Sequence, residues 1–133
     1  MFEPAIAGLA AQHASAADVQ ALRVILTKLA ATGERDAMVH AELDIAFHHR
    51  LSECTANPIL ISIHDSLSHL GRAQRRLMAS DPDAPERAAF WHEHIVDAIA
   101  AGDSTAARDA MRMHLRQVHT DLNASLAEDA ASA

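Results

Sequence analysis

The chain has 133 residues, the size of one ordinary domain, and 50% of them are hydrophobic, which argues against a disordered chain. It is rich in alanine, with four Gly, four Pro, one Trp, three Phe and no Tyr, and this composition excludes an all-β fold. The net charge of −7, from 11 Lys+Arg against 18 Asp+Glu, excludes a basic nucleic-acid-binding face on this chain alone.

Helical periodicity and breaker residues predict six α-helices joined by short connections. Their predicted bounds, in chain order, are 3–13, 16–31, 36–55, 58–78, 85–101 and 104–126. We expect residues 128–133 to fray. The fold class is therefore all-α, a single antiparallel bundle of about six helices, with residues 1–133 forming one domain.

The predicted helix ends rest on local signals. Ser15 and Asp18 have the spacing of a capping box, and Gly33 is a natural stop. Asn57–Pro58 provides an N-cap followed by a first-turn proline. Two further signals come later in the chain: Pro85 in the first turn of the fifth helix, and Asp103 or Ser104 as the cap of the sixth.

Apolar stripes predict which side of each helix faces the core. The stripe of the fourth helix consists of Leu60, Ile63, Leu67 and Leu70, and we expect it to be buried. His64 falls between Leu60 and Leu67 and is expected on the same inward side.

Ten histidines in one domain are unusual, and helix periodicity separates them into two groups. His92 lies on the apolar stripe of the fifth helix and His114 within that of the sixth. Asp44 and His48 lie one turn apart beside the apolar stripe of the third helix, and His40 precedes Asp44 on that side. The histidines expected at the surface are His13, His49, His69, His94 and His119.

Asp44, His48, His92 and His114 thus point inward from three helices. A carboxylate on an apolar flank has to be paired or metal-bound, because burying it bare is costly. Three imidazoles and one carboxylate suit Zn²⁺, Ni²⁺ or Fe²⁺ better than Ca²⁺ or Mg²⁺. Two alternatives remain open: an inward histidine is usually a core residue bonded to a backbone carbonyl, and Asp44–His48 is also the spacing of an ordinary ion pair.

Two segments of the chain resemble the FCD domain, the C-terminal effector-binding domain of FadR-subfamily GntR-type bacterial transcription regulators. The first is Asp44-Ile-Ala-Phe-His48 with Leu51 and Asn57–Pro58. The second begins His92-Glu-His-Ile95 and continues through Gly102–Asp103 to Met111 and His114–Leu115. Glu3–Pro4 and Leu9-Ala-Ala11 are similar to the end of the first helix of that domain, so the resemblance covers nearly the whole chain.

The resemblance implies an all-α bundle in which Asp44, His48, His92 and His114 bind a divalent cation. It further implies that a small organic acid sits on the metal and alters DNA binding by an attached winged helix-turn-helix domain. That domain is absent from this chain, and we expect either a C-terminal piece of a regulator or a reduced protein. A homodimer is also implied.

The leading hypothesis for function is a metal-dependent sensory domain that binds a small carboxylate and is not an enzyme. His64 and Arg75 are candidate second contacts for the effector, although a solvated Arg75 is the simpler interpretation. The alternatives are a hydrolase-like enzyme whose metal activates water, and a plain dimerisation module. No apolar run is long enough for a membrane span, the N-terminus lacks a basic region, and Cys54 is the only cysteine, so we expect a cytoplasmic protein without membrane contact.

Overall fold

The computed structural model describes residues 2–32, 36–79 and 81–133, with the side chains of 72–79 left out. These residues form six helices and no strand, which confirms the predicted all-α class. The helices are α1 (Phe2–His13), α2 (Ala16–Thr32), α3 (Ala37–Glu53), α4 (Pro58–Ala79), α5 (Ala84–Ala100) and α6 (Ser104–Ser132). None of these helices is long and apolar enough to cross a membrane.

The predicted caps form as local hydrogen bonds. The backbone N–H of Ser15 donates to Asp18 Oδ2 (2.9 Å), and the N–H of Asp18 donates back to Ser15 Oγ (3.1 Å), which completes the capping box. Asn57 Oδ1 accepts from the N–H of Ile59 at the start of α4 (3.0 Å). The predicted stop at Gly33 lies outside the described residues.

The connection between α5 and α6 is tight because Gly102 adopts φ +70°, a left-handed conformation that favours glycine. Its N–H bonds to the carbonyl of Ile99 (3.0 Å), and the N–H of Asp103 bonds to that of Ala98 (2.9 Å), the pattern of a Schellman motif. Asp103 then caps α6 by accepting from Ala106 N–H (2.9 Å). This one turn fixes α5 against α6 and so fixes the relative positions of His92 and His114.

The C-terminal tail differs from its predicted frayed state, because α6 continues to Ser132 rather than ending near Leu126. The reason is local: the added segment contains neither Gly nor Pro, and half of its residues are alanine, the best helix former. The tail is exposed throughout, so intrinsic propensity rather than packing sustains it.

The core lies between α1, α2, α3, α5 and α6. Helices α5 and α6 pack closely along their length, α1 packs on α6, and α2 packs on α3 and α5. The largest fully buried apolar side chains are Ile6, Leu22, Phe47, Leu51, Ile95, Val96 and Met111. The polar groups of the site are set among these residues.

The predicted inward stripe of α4 is wrong. Ile63, Leu67 and Leu70 are 43%, 49% and 80% exposed, and Ile59 beside them is 71% exposed. Leu60 is only half-buried. Among the α4 side chains that the structure describes, residues 58–71, only His64 is buried. In this part of the helix the more polar side faces α3 and the more apolar side faces outward. The helical periodicity of the sequence correctly identified the apolar face of α4, but it does not indicate what packs against that face.

Candidate metal centre

Three histidines from three helices meet in the interior, and we call them the three-histidine centre: His48 on α3, His92 on α5 and His114 on α6. Each is only 2% exposed. One ring nitrogen from each lies within 4.8 Å of the others. The ring centroids of His92 and His114 are 4.6 Å apart, and those of His48 and His114 are 5.4 Å apart and stacked.

Asp44 lies one turn before His48 and faces the same space. Its Oδ1 is 3.4 Å from His92 Nε2 and 3.7 Å from His48 Nε2. The Asp44 side chain is 16% exposed, so it is largely removed from water. The structure therefore brings together all four residues that the sequence analysis selected as ligands.

The ring nitrogens that face one another in this centre lack hydrogen bonds. Among the described residues, His48 Nε2, His92 Nε2 and His114 Nδ1 are all buried without a hydrogen-bond partner. Buried polar atoms are normally satisfied, because leaving one unpaired costs about 1–3 kcal/mol. Three buried ring nitrogens without a hydrogen bond, two of them within 3.7 Å of one carboxylate, have the chemistry of a site for a divalent transition metal, so the residues present fit such an ion.

Burial also sets the protonation of these rings. Desolvation lowers the pKa of His92, against the opposing effect of Asp44. Desolvation lowers the pKa of His114 well below its ordinary value, and the nearby rings of His92 and His48 lower it further. Both imidazoles are therefore neutral at neutral pH, which is the form that binds a metal.

Glu3 is a part of this site that the sequence did not indicate. Glu3 Oε1 lies 3.4 Å from His48 Nδ1, the ring nitrogen opposite the unpaired Nε2. A carboxylate in that position holds the Nδ1 proton and leaves Nε2 with the lone pair that a metal needs. The only available signal was the acidic first turn of α1, and that feature also occurs in helices without a site.

A cavity of about 340 Å³ opens next to the centre, between α2, α3 and the start of α5. His92 forms part of its wall, so the cavity and the three-histidine centre share one side chain. His40 also lines it, and desolvation lowers the pKa of His40. The apolar lining residues are Leu26, Leu29, Ala30, Pro82, Pro85 and Ala89.

The two predicted effector contacts have different outcomes. His64 is buried, and its Nε2 lies 3.9 Å from Glu3 Oε1, so it neighbours the carboxylate that contacts His48. The side chain of Arg75 lies outside the described residues. Of the histidines expected at the surface, His13, His69, His94 and His119 are exposed, whereas His49 is half-buried between α3 and α4.

Comparison with known proteins identifies the class. Residues 1–117 match the FCD domain, and the chain belongs to this family of effector-binding domains of GntR-type transcription regulators. A protein of Escherichia coli named for regulation of the L-lactate dehydrogenase operon is 29% identical over 90% of the chain, which covers 47% of that protein. The regulator LutR of Bacillus subtilis is 28% identical over 97% of the chain and 61% of its own length.

A third relative is the galactonate operon transcriptional repressor of Escherichia coli, 30% identical over 83% of the chain and 48% of its own length. The chain thus spans about half to three-fifths of the length of these relatives. All three of these relatives are named as regulators of gene expression.

Proposed function

We propose that this domain is the metal-dependent sensory part of a GntR-type transcription regulator. A divalent transition cation (Zn²⁺, Ni²⁺ or Fe²⁺) would be held by Asp44, His48, His92 and His114. The observation that carries the proposal is the convergence of three buried ring nitrogens that have no hydrogen-bond partner among the described residues. When bound, the ion supplies local positive charge for an anion in a domain whose net charge is −7.

The proposed effector is a small carboxylate with an adjacent hydroxyl group. Four protein ligands leave about two positions on an octahedral ion, which suit such a chelating acid. The cavity beside His92 has the size of a small-molecule site, and the apolar part of its wall would select side chains by size. Two of the relatives are named for the L-lactate dehydrogenase and galactonate operons, and lactate and galactonate are both 2-hydroxycarboxylates.

We propose that two further residues assist effector binding: His64, through its neighbour Glu3, and Arg75. In the complete regulator the effector would act on DNA through an attached winged helix-turn-helix domain outside residues 1–133, and the protein would work in the cytoplasm. The chain described here would not bind DNA specifically on its own.

The proposed assembly is a homodimer formed through α4. The outward stripe of Ile59, Ile63, Leu67 and Leu70 continues for three turns, and α4 contacts α3 through its opposite side. Contiguous apolar surface on a small domain marks an interaction site, and a two-fold interface can cover the same stripe on both copies.

The effector is tested by thermal unfolding with matched pairs of acids: L-lactate against propionate, which lacks the hydroxyl, and galactonate against galactose, which lacks the carboxylate. At 100 times its dissociation constant a true effector adds roughly 2.7 kcal/mol of stability. We expect a hydroxy acid to raise the unfolding midpoint of metal-loaded protein and to have no effect after chelation. Equal stabilisation of chelated protein would contradict the proposal.

A further inference from the structure

A second group of metal-ligating side chains lies where α3 meets α4, and we call it the α3–α4 cluster: His49, His64 and Asp65. One ligand atom from each lies within 4.8 Å of the others. Asp65 Oδ1 is 2.6 Å from His49 Nδ1 and 3.8 Å from His64 Nδ1. Nδ1 of His49 and Nδ1 of His64 thus both face Asp65 Oδ1.

Each of these imidazoles has a second carboxylate on its far side. Glu53 Oε1 lies 3.3 Å from His49 Nε2, and Glu3 Oε1 lies 3.9 Å from His64 Nε2. Carboxylates behind the rings are the usual outer shell of metal-bound histidines, because they favour the tautomer that leaves a lone pair on the other ring nitrogen. Arg50 donates to Glu53 (2.9 Å) and keeps that carboxylate in place.

We propose that His49, His64 and Asp65 form a second site for a divalent transition cation. Two imidazoles and one carboxylate suit Zn²⁺, Ni²⁺ or Co²⁺. With metal–ligand bonds of about 2.0–2.1 Å, neighbouring ligand atoms in such sites are roughly 3.0–3.4 Å apart. The observed separations of 2.6 and 3.8 Å lie on either side of this range, so small side-chain rotations bring all three to one ion.

An ion pair between His49 and Asp65 would explain the shorter contact, and the approach of His64 to the same carboxylate is the additional observation that favours a metal site. His64 is 3% exposed and turns its Nδ1 toward the same carboxylate, with Ser68 Oγ 3.4 Å from that nitrogen. The side chains of His49 and Asp65 are 40% and 46% exposed, so the site is open to water. It binds more weakly than the buried three-histidine centre and shares no protein ligand with it.

The test is the number of Zn²⁺ ions bound per chain, measured by calorimetric titration of metal-free protein. The wild-type chain is expected to bind two, the second at least tenfold more weakly than the first. Asp65→Asn and His49→Gln each remove the weaker ion, and the matched control His94→Gln, at an exposed histidine of α5, leaves both. Because Asp65 and His49 are half-exposed, both variants are expected to keep the wild-type circular dichroism spectrum.

The second site would be overturned if the wild-type chain binds only one Zn²⁺. It would also be overturned if the Asp65→Asn and His49→Gln proteins both still bind two. His114→Ala separates this proposal from the proposed function, since it removes the tighter ion only. If the His114→Ala protein still binds both ions and the Asp65→Asn protein binds only one, the metal site at the α3–α4 cluster is supported and the metal site at the three-histidine centre is contradicted.

Discussion

Glu3 Oε1 lies 3.4 Å from Nδ1 of His48, so the first turn of α1 supports a side chain that α3 directs into the three-histidine centre. The contact joins the N-terminus of the domain to its interior. It also favours the orientation of the His48 ring in which Nε2 is directed toward Asp44, 3.7 Å away.

We predict that Glu3→Ala weakens metal binding by roughly tenfold to a hundredfold, the usual effect of removing an outer-shell partner of a metal-bound histidine. Competition with a chromophoric chelator measures the affinity of the tighter ion. Glu128→Ala, at an exposed position near the end of α6, is the control and should bind as wild type. Unchanged affinity in Glu3→Ala would mean that the carboxylate does not orient His48.

The second prediction concerns the stability of metal-free protein in mild acid. The pKa of His114 is lowered in the folded state, so below about pH 6.5 the unfolded chain binds a proton that the folded chain does not. The free energy of unfolding therefore falls as the pH falls below that value, by roughly 1.4 kcal/mol per pH unit for each such histidine. Above pH 6.5 the effect is absent.

Urea unfolding of chelated protein at pH 7.5, 6.5 and 5.5 measures this effect. In His114→Gln the loss between pH 6.5 and 5.5 should shrink, because one of the histidines kept neutral by burial has been removed. A free energy of unfolding that stays constant from pH 7.5 to 5.5 in the wild-type chain would contradict the neutral, buried state of His92 and His114.

The third prediction concerns α4. Leu67→Glu places a charge in the centre of the outward stripe, and we expect it to convert a homodimer into a monomer at tens of micromolar. Sedimentation velocity measures the change. Leu126→Glu is the matched control, since Leu126 is 51% exposed on α6 and Leu67 is 49% exposed. A wild-type chain that sediments as a monomer would remove the dimer from the proposal.

Some of this structure could be predicted from the sequence because the signals are local. The Ser15–Asp18 capping box forms within four residues, and helix periodicity alone distinguishes buried His92 from exposed His94. The apolar stripe of α3 alone was sufficient to predict that Asp44 and His48 point inward. These features depend on residues within a turn or two of each other.

Other features required the assembled fold. Glu3 reaches His48 only because α1 packs against α3, and His49 meets Asp65 only because α3 crosses α4. The outward stripe of α4 shows the same limitation, since periodicity identifies an apolar face without identifying its partner. Leu70, expected in the core, is 80% exposed for this reason.

The metal content of the three-histidine centre tests the proposed function most directly. Elemental analysis of purified protein, dialysed against a weak chelator to remove the weaker ion, should give one transition metal per chain for the wild type and for His94→Ala. His114→Ala should contain none, because it removes one of the three buried ring nitrogens that lack a hydrogen-bond partner among the described residues. A wild-type metal content in His114→Ala would contradict the central claim.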